Sequence, residues 1–124
     1  GKNDMPISEA RCMLGSEKII GGTANTFTDV QRLATEGANY IGCGPFRYTK
    51  TKCNLAPILG LEGYRDILKQ MKKANICLPL IAIGGIVSTD IAALITIGVS
   101  GIAVSGAILE AVNPINAMTK LIEI

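Results

Sequence analysis

At 124 residues the chain has the length of one domain, residues 1–124, since independent domains usually run to about 100–200 residues. A content of 48% hydrophobic and 18% charged residues excludes disorder, which needs low hydrophobicity and high net charge. Lys and Arg number 12 against 10 Asp and Glu, aromatics make up 4%, and Trp and His are absent. That leaves neither the basic stripe and stacking platforms of a nucleic-acid binder nor any route to Ser-His or Cys-His catalysis or His-ligated zinc.

The elements follow in chain order. Pro6 to Leu14 reads as a helix, with Pro6 near its first position and Gly15 ending it. Lys18-Ile19-Ile20-Gly21-Gly22-Thr23 reads as a strand leading into a loop. Phe27, Val30, Leu33 and Ala34 recur at helical spacing, and Gly37 follows the end. Tyr40-Ile41-Gly42-Cys43-Gly44 is a second strand, ended by Pro45, and a long loop runs from about Arg47 to Glu62. Tyr64, Ile67, Leu68 and Met71 mark the next helix. Leu78 to Ile83 is an apolar strand ending in Gly84-Gly85; a helix from about Asp90 follows, with Ser88-Thr89-Asp90 as its N-cap region and Gly98 as its stop. Ile102-Ala103-Val104 is the fourth strand, and Asn113-Pro114 caps a last helix.

The charge-free run from Ile91 to Leu109 has about the length of a membrane span. Gly98, Gly101, Ser100 and Ser105 interrupt it, so a short buried helix followed by a buried strand accounts for it better and no membrane is expected. Cys12, Cys43, Cys53 and Cys77 match no zinc or redox spacing. Cys43 and Cys77 lie in apolar runs, and the expectation is buried free thiols in a reducing cytoplasm. The polar start Gly1-Lys2-Asn3-Asp4 resembles no signal peptide, and the missing initial Met suggests a fragment.

Continuous apolar strands alternating with helices predict an α/β fold with a parallel sheet. Gly37-Ala38-Asn39-Tyr40-Ile41 and Gly98-Val99-Ser100-Gly101-Ile102 repeat one helix-to-strand step, which suits a repeated βα unit. Four such units form either a small open sheet or half of a (β/α)8 barrel, whose full length is about 250 residues. Apart from Lys18 at the start of the first, none of the strands carries the charges that protect a sheet edge. A half-barrel is therefore favoured.

In such folds active sites lie on the loops after the strands. These loops hold Thr23, Ala24, Asn25 and Thr26 after the first strand, and Pro45 through Lys52 after the second. Gly84-Gly85 follows the third and Ser105-Gly106 the fourth. Glycines let backbone amides approach an anion, and a phosphate between the last two loops is the usual barrel arrangement; the alternative is that they only turn tight corners. Thr49-Lys50-Thr51-Lys52 offers hydroxyls and ammonium groups for a polyanion, or else is a solvated basic loop. Asp4 is either a helix-capping carboxylate or a metal ligand.

Taken in order, these stretches resemble the thiamine-phosphate synthase family. The matching residues are Asn3-Asp4-Met5-Pro6, Tyr40-Ile41-Gly42 leading to Gly44-Pro45, Thr49-x-Thr51-Lys52, Gly60-Leu61-Glu62-Gly63, Ala82-Ile83-Gly84-Gly85-Ile86 and Ser105-Gly106. The resemblance covers essentially the whole chain, and Thr-x-Thr-Lys is its most specific element. It implies a (β/α)8 barrel that joins 4-amino-2-methyl-5-hydroxymethylpyrimidine diphosphate to a thiazole phosphate, with magnesium, and releases diphosphate. By the same resemblance Asp4 would ligate Mg2+, Thr23 and Lys52 would hold the diphosphate, and Thr49, Thr51, Gly85, Ser105 and Gly106 the thiazole phosphate. Asn25 stands where many relatives carry histidine, which disfavours the sister thiazole tautomerase. The sequence starts about where the loop after the fourth barrel strand would lie. The first half-barrel, with the pyrimidine pocket and a second magnesium carboxylate, is then expected to lie outside it. The implied partners are phosphorylated small molecules, together with the missing half-barrel or a second copy as a homodimer.

Overall fold

The computed structural model describes residues 1–48 and 56–122. Four strands, β1 (Gly21–Ala24), β2 (Tyr40–Cys43), β3 (Leu80–Ile83) and β4 (Gly101–Ala103), pair in parallel in the order β1-β2-β3-β4. Spatial order equals chain order. Every crossover therefore steps to the next position in one direction, as in a (β/α) barrel; a doubly wound sheet reverses direction at a switch point. The helices are α1 (Ile7–Leu14), α2 (Phe27–Glu36), α3 (Gly60–Lys73), α4 (Ile91–Ile97), α5 (Gly106–Leu109) and α6 (Pro114–Ile122), with one 3-10 turn at Ser88–Asp90.

Helix boundaries follow local chemistry. Thr26 accepts the Asp29 amide while the Asp29 carboxylate takes the Thr26 amide, a reciprocal cap that opens α2. Gly37 ends α2 at φ 94° and Gly98 ends α4 at φ 114°, left-handed values that favour glycine. The repeated helix-to-strand step is real. After Gly37, the Asn39 amide donates to Ile20 O at 2.7 Å; after Gly98, the Ser100 amide donates to Leu80 O at 2.8 Å. In both copies the polar side chain closes the step, Asn39 Oδ1 accepting the Ile20 amide and Ser100 Oγ the Leu80 amide. Arg11 reinforces the first copy by donating to the carbonyls of Gly15, Lys18 and Gly37 and to Asn39 Oδ1.

The core lies between the sheet and its helices. Ala24, Ile41, Cys43, Leu80 and Ala82 point to that side and are buried, against Val30 and Leu33 of α2, Tyr64, Ile67 and Met71 of α3, and Leu94 of α4. The alternate residues face the other way. Of these, Tyr40 is 42% and Ile83 37% exposed, so the sheet has a covered outer face and an open inner one. That is how half of a barrel wall is built.

Several expectations are corrected. β1 starts at Gly21, so Thr23 and Ala24 are strand residues, while Ile19 is 80% exposed. α3 begins at Gly60, shortening the loop that was expected to reach Glu62. Ser88–Asp90 forms its own 3-10 turn, which the Asp90 carboxylate closes on the Val87 amide. α4 is half-covered: Leu94 is buried and Ile95 exposed. α5 was not anticipated. Cys43 is buried, but Cys12 and Cys77 are exposed; all three are free thiols, and Cys53 lies outside the described residues. Cys77 follows the left-handed turn at Asn75, ahead of the strand, and so escapes the core.

Candidate functional site

Register sets the level of the strand ends. Ala24 pairs with Cys43, Cys43 with Ala82 and Ile83 with Ala103. Asn25, Gly44, Gly84-Gly85 and Ser105-Gly106 therefore leave one rim at nearly one height, on strands about 4.8 Å apart. Asn25 Nδ2 donates to Gly44 O, and the Gly44 amide donates to Ala24 O at 3.1 Å. Across the next gap the Phe46 amide donates to Ile83 O at 3.0 Å and the Arg47 amide to Gly84 O at 2.9 Å. The first three loops are thus tied side by side.

Gly84 and Gly85 have φ values of 100° and 67°. A Cβ on Gly84 would lie 2.8 Å from Pro45 Cα, and one on Gly85 would lie 3.0 Å from Arg47 Cβ. The corner-turning alternative therefore holds: these glycines turn the chain and let the β2 loop pack on it. It does not compete with anion binding, because among the described residues no acceptor takes the Gly85 or Ile86 amide.

Arg47 spans the β2 and β3 loops. Nη1 donates to Gly85 O at 2.6 Å and to Asp90 Oδ2 at 2.8 Å, Nη2 reaches Asp90 Oδ1 at 3.1 Å, and the guanidinium lies 4.9 Å from the Phe46 ring centroid. The Arg47 hydrogen bonds hold the Asp90 carboxyl below its usual value against the opposing effect of burial, and the same contact raises Arg47. Sequence reasoning treated Arg47 as the start of a loop and Asp90 as a cap. No local pattern signals a pair 43 positions apart.

The other predicted site residues divide into three groups. Thr23 sits on β1 opposite Gly42, on the open inner face, because its neighbours Gly22 and Ala24 face α2 and the core. Ser105 and Gly106 open α5, the Ser105 carbonyl accepting the Ile108 and Leu109 amides. Thr49, Thr51 and Lys52 lie outside the described residues. The flanks of that segment are both on the rim: Arg47 is bonded to Gly84, and the Leu59 amide donates to Pro45 O at 2.9 Å.

Asp4 lies in the turn ahead of α1, its amide donating to Gly1 O at 3.1 Å. Its neighbour Lys2 pairs with Asp29 at 2.8 Å, and Asp29 in turn accepts the amides of Asn25 and Thr26. Burial raises the Asp29 carboxyl, but the Lys2 ammonium and the two amides outweigh it and hold it below its ordinary value. The Asp4 carboxylate is 77% exposed. No group of three or more His, Cys, Asp or Glu side chains able to hold a metal occurs among the described residues. A lone exposed carboxylate still suits magnesium, which binds through one or two carboxylates with phosphate oxygens and water completing its shell.

Among the described residues no helix is long and apolar enough to cross a membrane. An apolar groove of about 390 Å³, lined by Ile91, Ile95, Ile102, Val104 and Leu121, lies on the uncovered flank of β4.

The sequence profile of a family described as "Thiamine monophosphate synthase" matches residues 1–108. A thiamine-phosphate synthase of Phocaeicola vulgatus is 61% identical over 122 residues, covering 98% of this chain and 58% of the relative. One of Bacteroides fragilis is 58% identical over 124 residues, covering 100% of this chain and 61% of the relative. The chain thus spans about three fifths of the length of these curated relatives. Among solved structures, a thiamine phosphate pyrophosphorylase from Pyrococcus furiosus superposes with a TM-score of 0.82 at 30% identity, covering 98% of this chain and 55% of that one. A 3-hexulose-6-phosphate synthase, at 21% identity and a TM-score of 0.65, shares the fold.

Proposed function

The chain belongs to the thiamine monophosphate synthase family, and from that premise we propose that it is the phosphate-binding part of a transferase of thiamine biosynthesis. In the proposed reaction the C–O bond between the pyrimidine methylene and diphosphate breaks, and the electron pair leaves with diphosphate. The thiazole nitrogen then donates its lone pair to the methylene carbon to give thiamine phosphate. No proton has to be abstracted at the reacting carbon, which suits a chain without histidine. What the protein must supply is position and compensation for the leaving charge.

The observation that carries this reading is the common height of the Gly84-Gly85 and Ser105-Gly106 turns on adjacent strands. Amides of Gly85, Ser105 and Gly106, with Thr49 and Thr51, are assigned to the thiazole phosphate. Thr23, one step below the rim on the inner face, and Lys52 are assigned to the diphosphate. Asp4 would hold Mg2+, whose charge offsets that of the diphosphate when bound. A reducing, cytoplasmic setting accords with Cys12, Cys43 and Cys77 being free thiols among the described residues.

The open inner face and the exposed Leu109, Val112, Ile115 and Ile122 beside β4 need a cover. The remaining two fifths of a relative's length would supply it as the other half of the barrel; a homodimer of this chain is the alternative. The test is a product assay on the complete gene product, with both phosphorylated substrates and magnesium. Formation of thiamine phosphate supports the reading, and its absence in folded, magnesium-loaded protein overturns it. Activity of the 124-residue chain alone, running as a dimer in solution, would favour the homodimer.

A further inference from the structure

We infer that Arg47 is a positioning residue that aims backbone amides of the Gly84-Gly85 turn at the thiazole phosphate, an inference that rests on the transferase reading. In a trans peptide the C=O and N–H point in opposite directions across the plane. Gly84 O accepts the Arg47 amide at 2.9 Å, so the Gly85 N–H in the same peptide points away from the β2 loop. Gly85 O accepts Arg47 Nη1 at 2.6 Å, so the Ile86 N–H points away from the Arg47 guanidinium. β2 and β4 flank β3 on opposite sides. Two successive amides are therefore turned away from Arg47, on a strand whose other neighbour is β4, where Ser105 and Gly106 leave the same rim; successive N–H groups in a turn can form an anion-binding nest.

Arg47 itself does not serve as the anion's partner. Asp90 engages both terminal nitrogens of its guanidinium, neutralising it, and the Phe46 ring supports its face. Asp90 also accepts the Val87 amide at 2.8 Å, which anchors the clamp to the end of the same turn. Lysine cannot reproduce this, since one ammonium does not replace a planar fork donating to a carbonyl and both carboxylate oxygens.

The test uses the complete chain and steady-state kinetics with each substrate varied in turn. Arg47→Met is expected to raise KM for thiazole phosphate about tenfold, the worth of one well-aimed hydrogen bond, with kcat and KM for the pyrimidine diphosphate within about twofold of the parent. Asp90→Asn, whose side-chain oxygen can still accept the Val87 amide, is expected to raise the same KM by a smaller factor, and it carries the test should Arg47→Met not fold. Arg65→Met, on the outer surface of α3, serves as the unaffected control. An unmoved KM for thiazole phosphate in an active enzyme overturns the inference alone. So does an equal rise in both KM values, which would mean general loosening. Inactivity of the unaltered chain overturns the transferase reading and the inference with it.

Discussion

Tyr64→Phe probes the joint between helix layer and rim. Tyr64 is fully buried on α3, and its hydroxyl donates to Cys43 O at 2.5 Å with Ile83 O at 3.4 Å, the last carbonyls of β2 and β3. Phenylalanine keeps the ring, its volume and its tilted contact with Phe46 at 6.1 Å between centroids. Only the hydroxyl is removed, and Cys43 O loses that donor, whereas Ile83 O keeps the Phe46 amide. Leaving a buried acceptor unpaired costs about 1–3 kcal/mol. With a urea m-value of about 1.5 kcal/mol/M, a loss of about 1.5 kcal/mol lowers the unfolding midpoint by about 1 M. The assay is urea unfolding of the complete chain followed by circular dichroism, with the m-value expected to stay constant. A midpoint shift below about 0.2 M would refute the claim that this hydroxyl joins the layers.

Other substitutions test other links. Burial, helped by the Asp29 charge, pushes the Cys43 thiol from 9.0 up to about 12; a raised folded-state pKa means stability that is present below 9 and lost as pH rises through that window. Urea midpoints should therefore fall between pH 9 and 12, and Cys43→Ala should flatten that slope. Thr26→Ala removes the α2 cap and should cost about 1 kcal/mol in the same unfolding assay, with an unchanged midpoint counting against the reciprocal cap. Lys52→Ala should lower turnover about 100-fold or more (~3 kcal/mol), the loss of one preorganised charge at the leaving group; a change below about threefold would count against its assignment to the diphosphate.

Sequence alone revealed the elements whose signals are local. Glycine at 37 and 98 stops a helix by its left-handed φ, and Asn113 caps α6 by accepting the Asn116 amide; both effects act within a few residues. β1 starts three residues later than the expected Lys18 because its signal is not local. Lys18-Ile19-Ile20 has the higher strand propensity, yet the strand forms at Gly21-Gly22-Thr23-Ala24. Neighbouring side chains lie over both glycines: a Cβ on Gly21 would lie 2.1 Å from Tyr40 Cζ, and one on Gly22 would lie 2.4 Å from Leu33 Cδ2. Partners on β2 and α2 thus override propensity. The rim residues were legible as loop residues after strands, because a repeated βα unit fixes which ends carry function. The Arg47–Asp90 clamp was not legible, since the fold alone brings those two loops together.

The most direct measurement is a crystal structure of the complete chain with thiamine phosphate bound. The account predicts the phosphate within about 2.7–3.2 Å of the Gly85, Ser105 or Gly106 amides, with Arg47 still paired to Asp90. A phosphate seated elsewhere, with those amides turned away from it, would contradict the assignment of the rim.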